Sequence, residues 1–163
     1  MLFAIISDSH DNIPNIDEML RIVKAEGIKT IIHCGDVCAP SVLKYLGENF
    51  DGEVYLAFGN VDGDKEVMQK LATPNTHLLG DVGELEIKEI KIAFTHQPEK
   101  ARELATTKKY DVVFYGHNHK PWEETIGETK LLNPGTLAGL FAKPTFAVYD
   151  TEKHEAELKI LYL

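Results

Sequence analysis

The chain has 163 residues, 44% apolar and 26% charged, a balance that suits a single domain spanning 1–163 and carries no collagen-like or low-complexity signature. Seventeen Lys and Arg against 26 Asp and Glu leave a net charge of −9, which disfavours a large nucleic acid or an anionic membrane as partner but not a small phosphate drawn to a local cation. The longest apolar runs, such as Met1 to Ile6, fall far short of the ~20 residues that cross a bilayer, and no signal-peptide pattern is present, so the expected location is cytoplasmic.

Leu2 to Ser7 reads as a strand. Ile16, Met19, Leu20 and Val23 recur at helical spacing, with Pro14 near the start and Gly27 past the end. Thr30 to Cys34 predicts a second strand, Ser41 to Leu46 a short helix, Val54 to Phe58 a third strand, and Val67, Met68 and Leu71 a helix after Asp64. The pattern then changes: Leu85 to Phe94 reads as two strands turning near Lys88-Glu89, with a helix over Glu99 to Thr106 and a buried strand over Val112 to Tyr115 after them. Trp122 to Ile126, Lys130 to Asn133, Thr145 to Asp150 and Glu155 to Tyr162 close the chain as strands. The expected class is α/β, with mixed sheets flanked by helices. Cys34 and Cys38 form neither a CxxC pair nor a disulfide framework and are expected as free buried thiols.

The residues just past the core strands carry the chemistry. Asp8-Ser9-His10 comes after the first strand, Gly35-Asp36 after the second and Gly59-Asn60 after the third; His96 and Gly116-His117-Asn118-His119 come after two later ones. Side chains at the carboxyl ends of strands in an α/β sheet converge on one edge. Imidazoles with carboxylates suit Mn, Fe, Zn, Ni or Co, and seven such ligands suit two ions with one carboxylate between them. Ions ~3.5–4 Å apart hold a phosphoryl oxygen, generate hydroxide near neutral pH and stabilise the leaving oxygen. Gly35, Gly59 and Gly116 each precede a candidate ligand, where the expectation is a positive φ that turns the chain off its strand. If His117 to His119 is extended, its two rings lie on one side.

These five blocks, in order, resemble the motifs of the calcineurin-like metallophosphoesterases. The chain length and Asn133-Pro134-Gly135-Thr136 resemble the small single-domain phosphodiesterase branch of bacteria and archaea, with Thr136 where that branch often has Ser. The resemblance implies a four-layer αββα sandwich with two mixed sheets inside. It implies that Asp8, His10 and His119 hold one divalent ion and Asn60, His96 and His117 the other, with Asp36 bridging; manganese is the first expectation. Asp36, Asn60 and His96 are also assigned to catalysis. The resemblance further implies that water or hydroxide between the ions attacks phosphorus in line, and the expected substrate is a small phosphate ester, a diester before a monoester. Many members place His after the Gly-Asn pair to protonate the leaving group; here Val61 stands there, with Asp62 next. A retromer subunit of similar fold has lost part of its ligand set, so a non-catalytic scaffold is the rival reading. A two-fold homodimer is the default oligomer.

Outside the blocks, His33 is expected to be a packed histidine with one hydrogen bond, and His77 and His154 surface residues. Asp11 and Asn12 are read as helix caps, Asn133 to Thr136 as a turn that helps wall the site, and Trp122 as a core or hairpin residue.

Overall fold

The computed structural model describes residues 1–162. Strands β1 (Leu2–Ile6), β2 (Thr30–His33) and β3 (Glu53–Leu56) alternate with helices α1 (Ile13–Ala25), α2 (Pro40–Asn49) and α3 (Lys65–Leu71). Next come β4 (Thr76–Leu78), β5 (Val82–Ile87) and β6 (Ile90–Thr95), then α4 (Pro98–Thr106), β7 (Val112–Phe114), β8 (Trp122–Ile126), β9 (Thr129–Asn133), β10 (Thr145–Asp150) and β11 (Glu155–Ile160). One sheet has the order β11-β10-β1-β2-β3-β4, the other β5-β6-β7-β9-β8, and each mixes parallel and antiparallel pairs.

The layering arises from the two-residue period of strands. In β1, Ala4 and Ile6 face the cluster formed with Ile16, Met19 and Leu43 of the helices, whereas Phe3 and Ile5 face Phe94, Val112 and Phe114 of the second sheet. A strand buried on both faces reads as an unbroken apolar run, as Leu2 to Ile6 does. Ala101 and Ala105 of α4 cover the far face of the second sheet against Ala93 and Val113. The result is the αββα sandwich expected, with three helices on one side and one on the other.

The Lys88-Glu89 turn is as read: both residues have positive φ, 51° and 68°, the hairpin conformation whose twist matches its strands. The strand missed by the sequence reading is β4, a three-residue edge strand too short to show a period, paired parallel to β3. His77 in that strand stacks on Tyr55 and meets Glu53 at 2.6 Å. Trp122 is a hairpin residue, 51% exposed at the start of β8. Among the described residues no helix is long and apolar enough to cross a membrane.

Candidate metal centre

Both sheets feed the centre. β1, β2 and β3 of the first sheet lead into Asp8 and His10, Asp36, and Asn60; β6 and β7 of the second lead into His96, and His117 and His119. The expectation of one sheet edge is therefore corrected: the carboxyl ends of two sheets meet. The seven side chains form two contacting groups. His10 Nε2 and His119 Nε2 lie 3.2 Å apart, at 3.6 and 3.1 Å from Asp8 Oδ1. Asn60 Oδ1 lies 3.0 Å from both His96 Nε2 and His117 Nδ1. Between them, Asp36 accepts the Val61 N–H on Oδ1 and turns Oδ2 to His96 Nε2 at 3.2 Å and His10 Nε2 at 4.0 Å.

Outer bonds set the tautomers. His96 Nδ1 faces the Cys34 carbonyl at 2.8 Å, so it donates there and leaves the Nε2 lone pair facing the centre. His119 Nδ1 faces the Leu140 carbonyl at 3.3 Å with the same effect. Asp8 is fully buried, and its Oδ1 is a buried polar atom without a hydrogen-bond partner among the described residues, a costly state unless something binds it. Asp8, His10 and His119 each bring a ligand atom to within 4.8 Å of the others, as do Asp8, Asp36 and His96. The orphaned oxygen and these spacings fit a divalent ion.

The electrostatics agree. Burial raises the Asp8 carboxyl, but the neighbouring His10 imidazole, the Ser7 hydroxyl and the charges of His96 and His119 outweigh it and leave it below the usual range. Burial likewise raises Asp36, but the bonds from His96 and the Val61 N–H overcome it and leave Asp36 lowered. His10 is raised by the Asp8 carboxylate 3.6 Å away. Burial lowers His96, but Asp36 and Asp8 outweigh it and leave the ring raised. Buried carboxylates that lift neighbouring imidazoles are a site that demands positive charge, which protons supply where a cation does not.

The glycines work differently from expectation. Gly35 has φ +94°, but Gly59 and Gly116 do not need positive φ; they need the absence of a side chain. A Cβ on Gly59 would sit 2.0 Å from Asp36 Oδ1, and one on Gly116 1.9 Å from Ser7 Oγ. Positive φ falls instead on the candidate ligands: Asp8 (52°), His10 (39°), Asp36 (60°), His117 (71°) and His119 (55°). His117 to His119 is thus a turn rather than an extended segment, and its rings part, one to each group.

Asp62 is the residue that sequence reasoning left without a role. Its Oδ2 accepts from the N–H of Asp36 (3.1 Å) and Gly59 (2.6 Å), its Oδ1 from Cys38 N–H (2.9 Å), so one carboxylate binds two motif loops together. Its place two residues after Asn60 was the available signal. The Asn133 to Thr136 turn also positions the centre: Asn133 Nδ2 donates to Gly116 O and Thr136 Oγ1 to Asp8 O, both at 3.0 Å. Asn12 caps α1 as read, whereas Asp11 accepts from Ala39 N–H at the start of α2. His33 makes two bonds, to Ser9 Oγ and from Gly35 N–H. Cys34 is buried, but Cys38 is only half-buried, its sulfur 3.4 Å from His10 Nδ1. A cavity of about 400 Å³ opens beside Asn60 and His96, lined also by Phe58, Gln97 and Lys100.

The calcineurin-like phosphoesterase superfamily domain model matches residues 1–154, and the chain belongs to that family. It is 35% identical over 162 residues to a phosphodiesterase of Methanocaldococcus jannaschii, covering 95% of this chain and 96% of that one. The solved structure of an archaeal phosphodiesterase superposes with a TM-score of 0.91 at 31% identity, covering 99% of this chain and 100% of the other. Vps29 of Entamoeba histolytica in complex with Zn²⁺ shares the fold, with a TM-score of 0.70 at 17% identity over 99% of this chain and 98% of that one.

Proposed function

We propose that this protein hydrolyses small phosphate esters, diesters in first place, at a centre of two divalent ions. Asp8, His10 and His119 would hold one ion and Asn60, His96 and His117 the other, with Asp36 shared between them. The observation that carries the reading is the orphaned Oδ1 of fully buried Asp8 facing two imidazole nitrogens across the gap from a second group of the same kind. The identity to a phosphodiesterase supports the diester preference. Bound divalent ions supply charge at the phosphoryl oxygens and a water activated near neutral pH.

The protein's own groups do the rest. Asp36 is held at Oδ1 by the Val61 N–H, which fixes the direction of Oδ2. Asn60 adds an uncharged oxygen and so leaves the second half of the centre less neutralised than a carboxylate would, favouring an anionic ester there. Val61 offers no proton to a leaving group. Ser9 pairs with His33 but is fully buried, and burial pushes the Cys38 thiol beside His10 up to about 12, so neither is an activated nucleophile and the phosphoryl group passes to water rather than to the chain. Manganese is the first choice of metal, since mixed imidazole and carboxylate ligands suit it alongside Fe, Co, Ni and Zn.

The test is hydrolysis of bis(p-nitrophenyl) phosphate and p-nitrophenyl phosphate with added Mn²⁺, beside EDTA-treated protein and His96→Ala. The expected result is turnover of the diester above the monoester, abolished in both controls. Activity indifferent to both controls overturns the reading, and tight metal binding without turnover favours the scaffold role.

A further inference from the structure

Phe141 is 98% exposed, the most exposed large apolar side chain among the described residues, and it stands at the rim of the metal centre. Its ring lies nearly parallel to that of His119, at 22° with centroids 6.0 Å apart. Its φ is +61°, unfavourable for a bulky residue, with Gly139 at +74° two positions before it. Strain of this sort persists only where surrounding structure enforces it, and it clusters where ligands are gripped.

The enforcement is visible at the root of the loop. Leu137 and Ala138 donate their N–H groups to the carbonyls of Ser7 and Asp8, at 2.9 and 3.0 Å. Asn15 and Asn12 donate in return to the carbonyls of Leu137 and Ala138, at 2.8 and 3.1 Å. At the tip, the Leu140 carbonyl receives His119 Nδ1. The bonds that tie Asp8 and His119 to Leu137, Ala138 and Leu140 thus fix the loop that carries Phe141, whose solvent-facing phenyl ring has its outer face open beside the candidate metal centre.

We propose that Phe141 is a specificity-determining residue whose ring stacks on a planar aromatic substituent of the ester, making aryl and nucleoside phosphodiesters the favoured substrate class. This rests on the phosphoesterase reading of the same centre. A surface for a protein partner would not need a ring tied to a candidate ligand, whereas a substrate contact does. Because the Phe141 and His119 rings lie 6.0 Å apart, a substituent on an ester held at His119 is within reach of the phenyl ring. Stacking on an aromatic side chain is tolerant of ring identity, so the effect is a class preference rather than recognition of one base.

The experiment compares wild type, Phe141→Ala and Phe141→Trp with Mn²⁺ on bis(p-nitrophenyl) phosphate and on glycerophosphoethanolamine, and measures binding of adenosine monophosphate against inorganic phosphate by calorimetry. The expected result is a fall of about 5- to 20-fold in the aryl-to-alkyl ratio of kcat/KM for Phe141→Ala, a matching fall in the monophosphate-to-phosphate affinity ratio, and recovery of both in Phe141→Trp. Equal losses on both ester classes overturn the proposal, as does a change in self-association with both ratios intact. If no protein turns over any ester, the phosphoesterase reading fails and the binding ratio still decides this one.

Discussion

The carboxylate of Asp62 accepts the backbone N–H of Asp36 at 3.1 Å, so the residue that lies between the two ligand groups is itself held by a side chain from the neighbouring motif loop. With the bonds from Gly59 and Cys38, both oxygens of Asp62 act as acceptors. Asn at this position keeps one acceptor and turns an NH₂ group toward a donor. Asp62→Asn is therefore expected to do nearly as much harm as Asp62→Ala, with Mn²⁺ affinity down about 10- to 100-fold, the range for lost outer-shell support. Metal titration monitored by calorimetry checks it; wild-type affinity in Asp62→Asn would show that the loops hold themselves.

Bound metal is expected to stabilise the fold, because candidate ligands from both sheets converge at one centre. At a hundredfold excess over Kd a bound ion contributes about 2.7 kcal/mol, which for a chain of this size raises Tm by roughly 5–10 °C. EDTA is expected to reverse the rise, and His96→Ala to show little of it. Because His10 and His96 are raised by Asp8 and Asp36, metal must displace protons from them, and affinity is expected to fall as pH falls. Differential scanning fluorimetry at several pH values reads both effects.

His33 supplies a second pH dependence. Burial pushes its imidazole down to about 4, against the pull of nearby Asp62, Asp8 and Asp36. Between that value and about 6.5 the unfolded chain binds a proton that the native state refuses, so this contribution is complete above about 6.5 and is lost as pH falls toward 4. His10 and His96, raised in the metal-free protein, act oppositely: they stabilise below about 6.5 and lose that contribution as pH rises through their folded values. Comparing urea midpoints of metal-free wild type and His33→Gln at pH 7.5 and pH 5 isolates His33. The variant is expected to lose less stability between the two pH values; an identical loss would remove His33 from the account.

Val61 is 46% exposed beside Asn60, so an imidazole fits there. Val61→His is expected to raise turnover of alkyl phosphates more than of aryl phosphates, since only poor leaving groups need a proton. Equal gains on both would mean that leaving-group protonation does not limit the wild type.

Mixed sheets flanked by helices were legible because the central strands are apolar on both faces and the helices show clear spacing, as in Leu2 to Ile6 and Ile16 to Val23, whereas the four-layer sandwich followed only from the family resemblance. The seven candidate positions stood out because each comes after a core strand, and the structure gathers them into two contacting groups. The two-sheet origin of the centre was not, since nothing local in β6 or β7 says which sheet it joins. The work of Asp62 was also hidden: an acceptor for backbone N–H groups at positions 36, 38 and 59 leaves no pattern in composition or period. Phe141 was invisible for the opposite reason, because an aromatic residue in a loop reads as a core residue until its exposure is known.

Five of the candidate ligands occupy left-handed backbone. That conformation admits Gly, Asn, Asp and His far more readily than branched or bulky side chains. The geometry of the chain and the appetite of a cation thus select from nearly the same short alphabet. A descendant that abandoned hydrolysis would still be steered toward small polar letters at these places, and residue type alone would overstate its chemical competence.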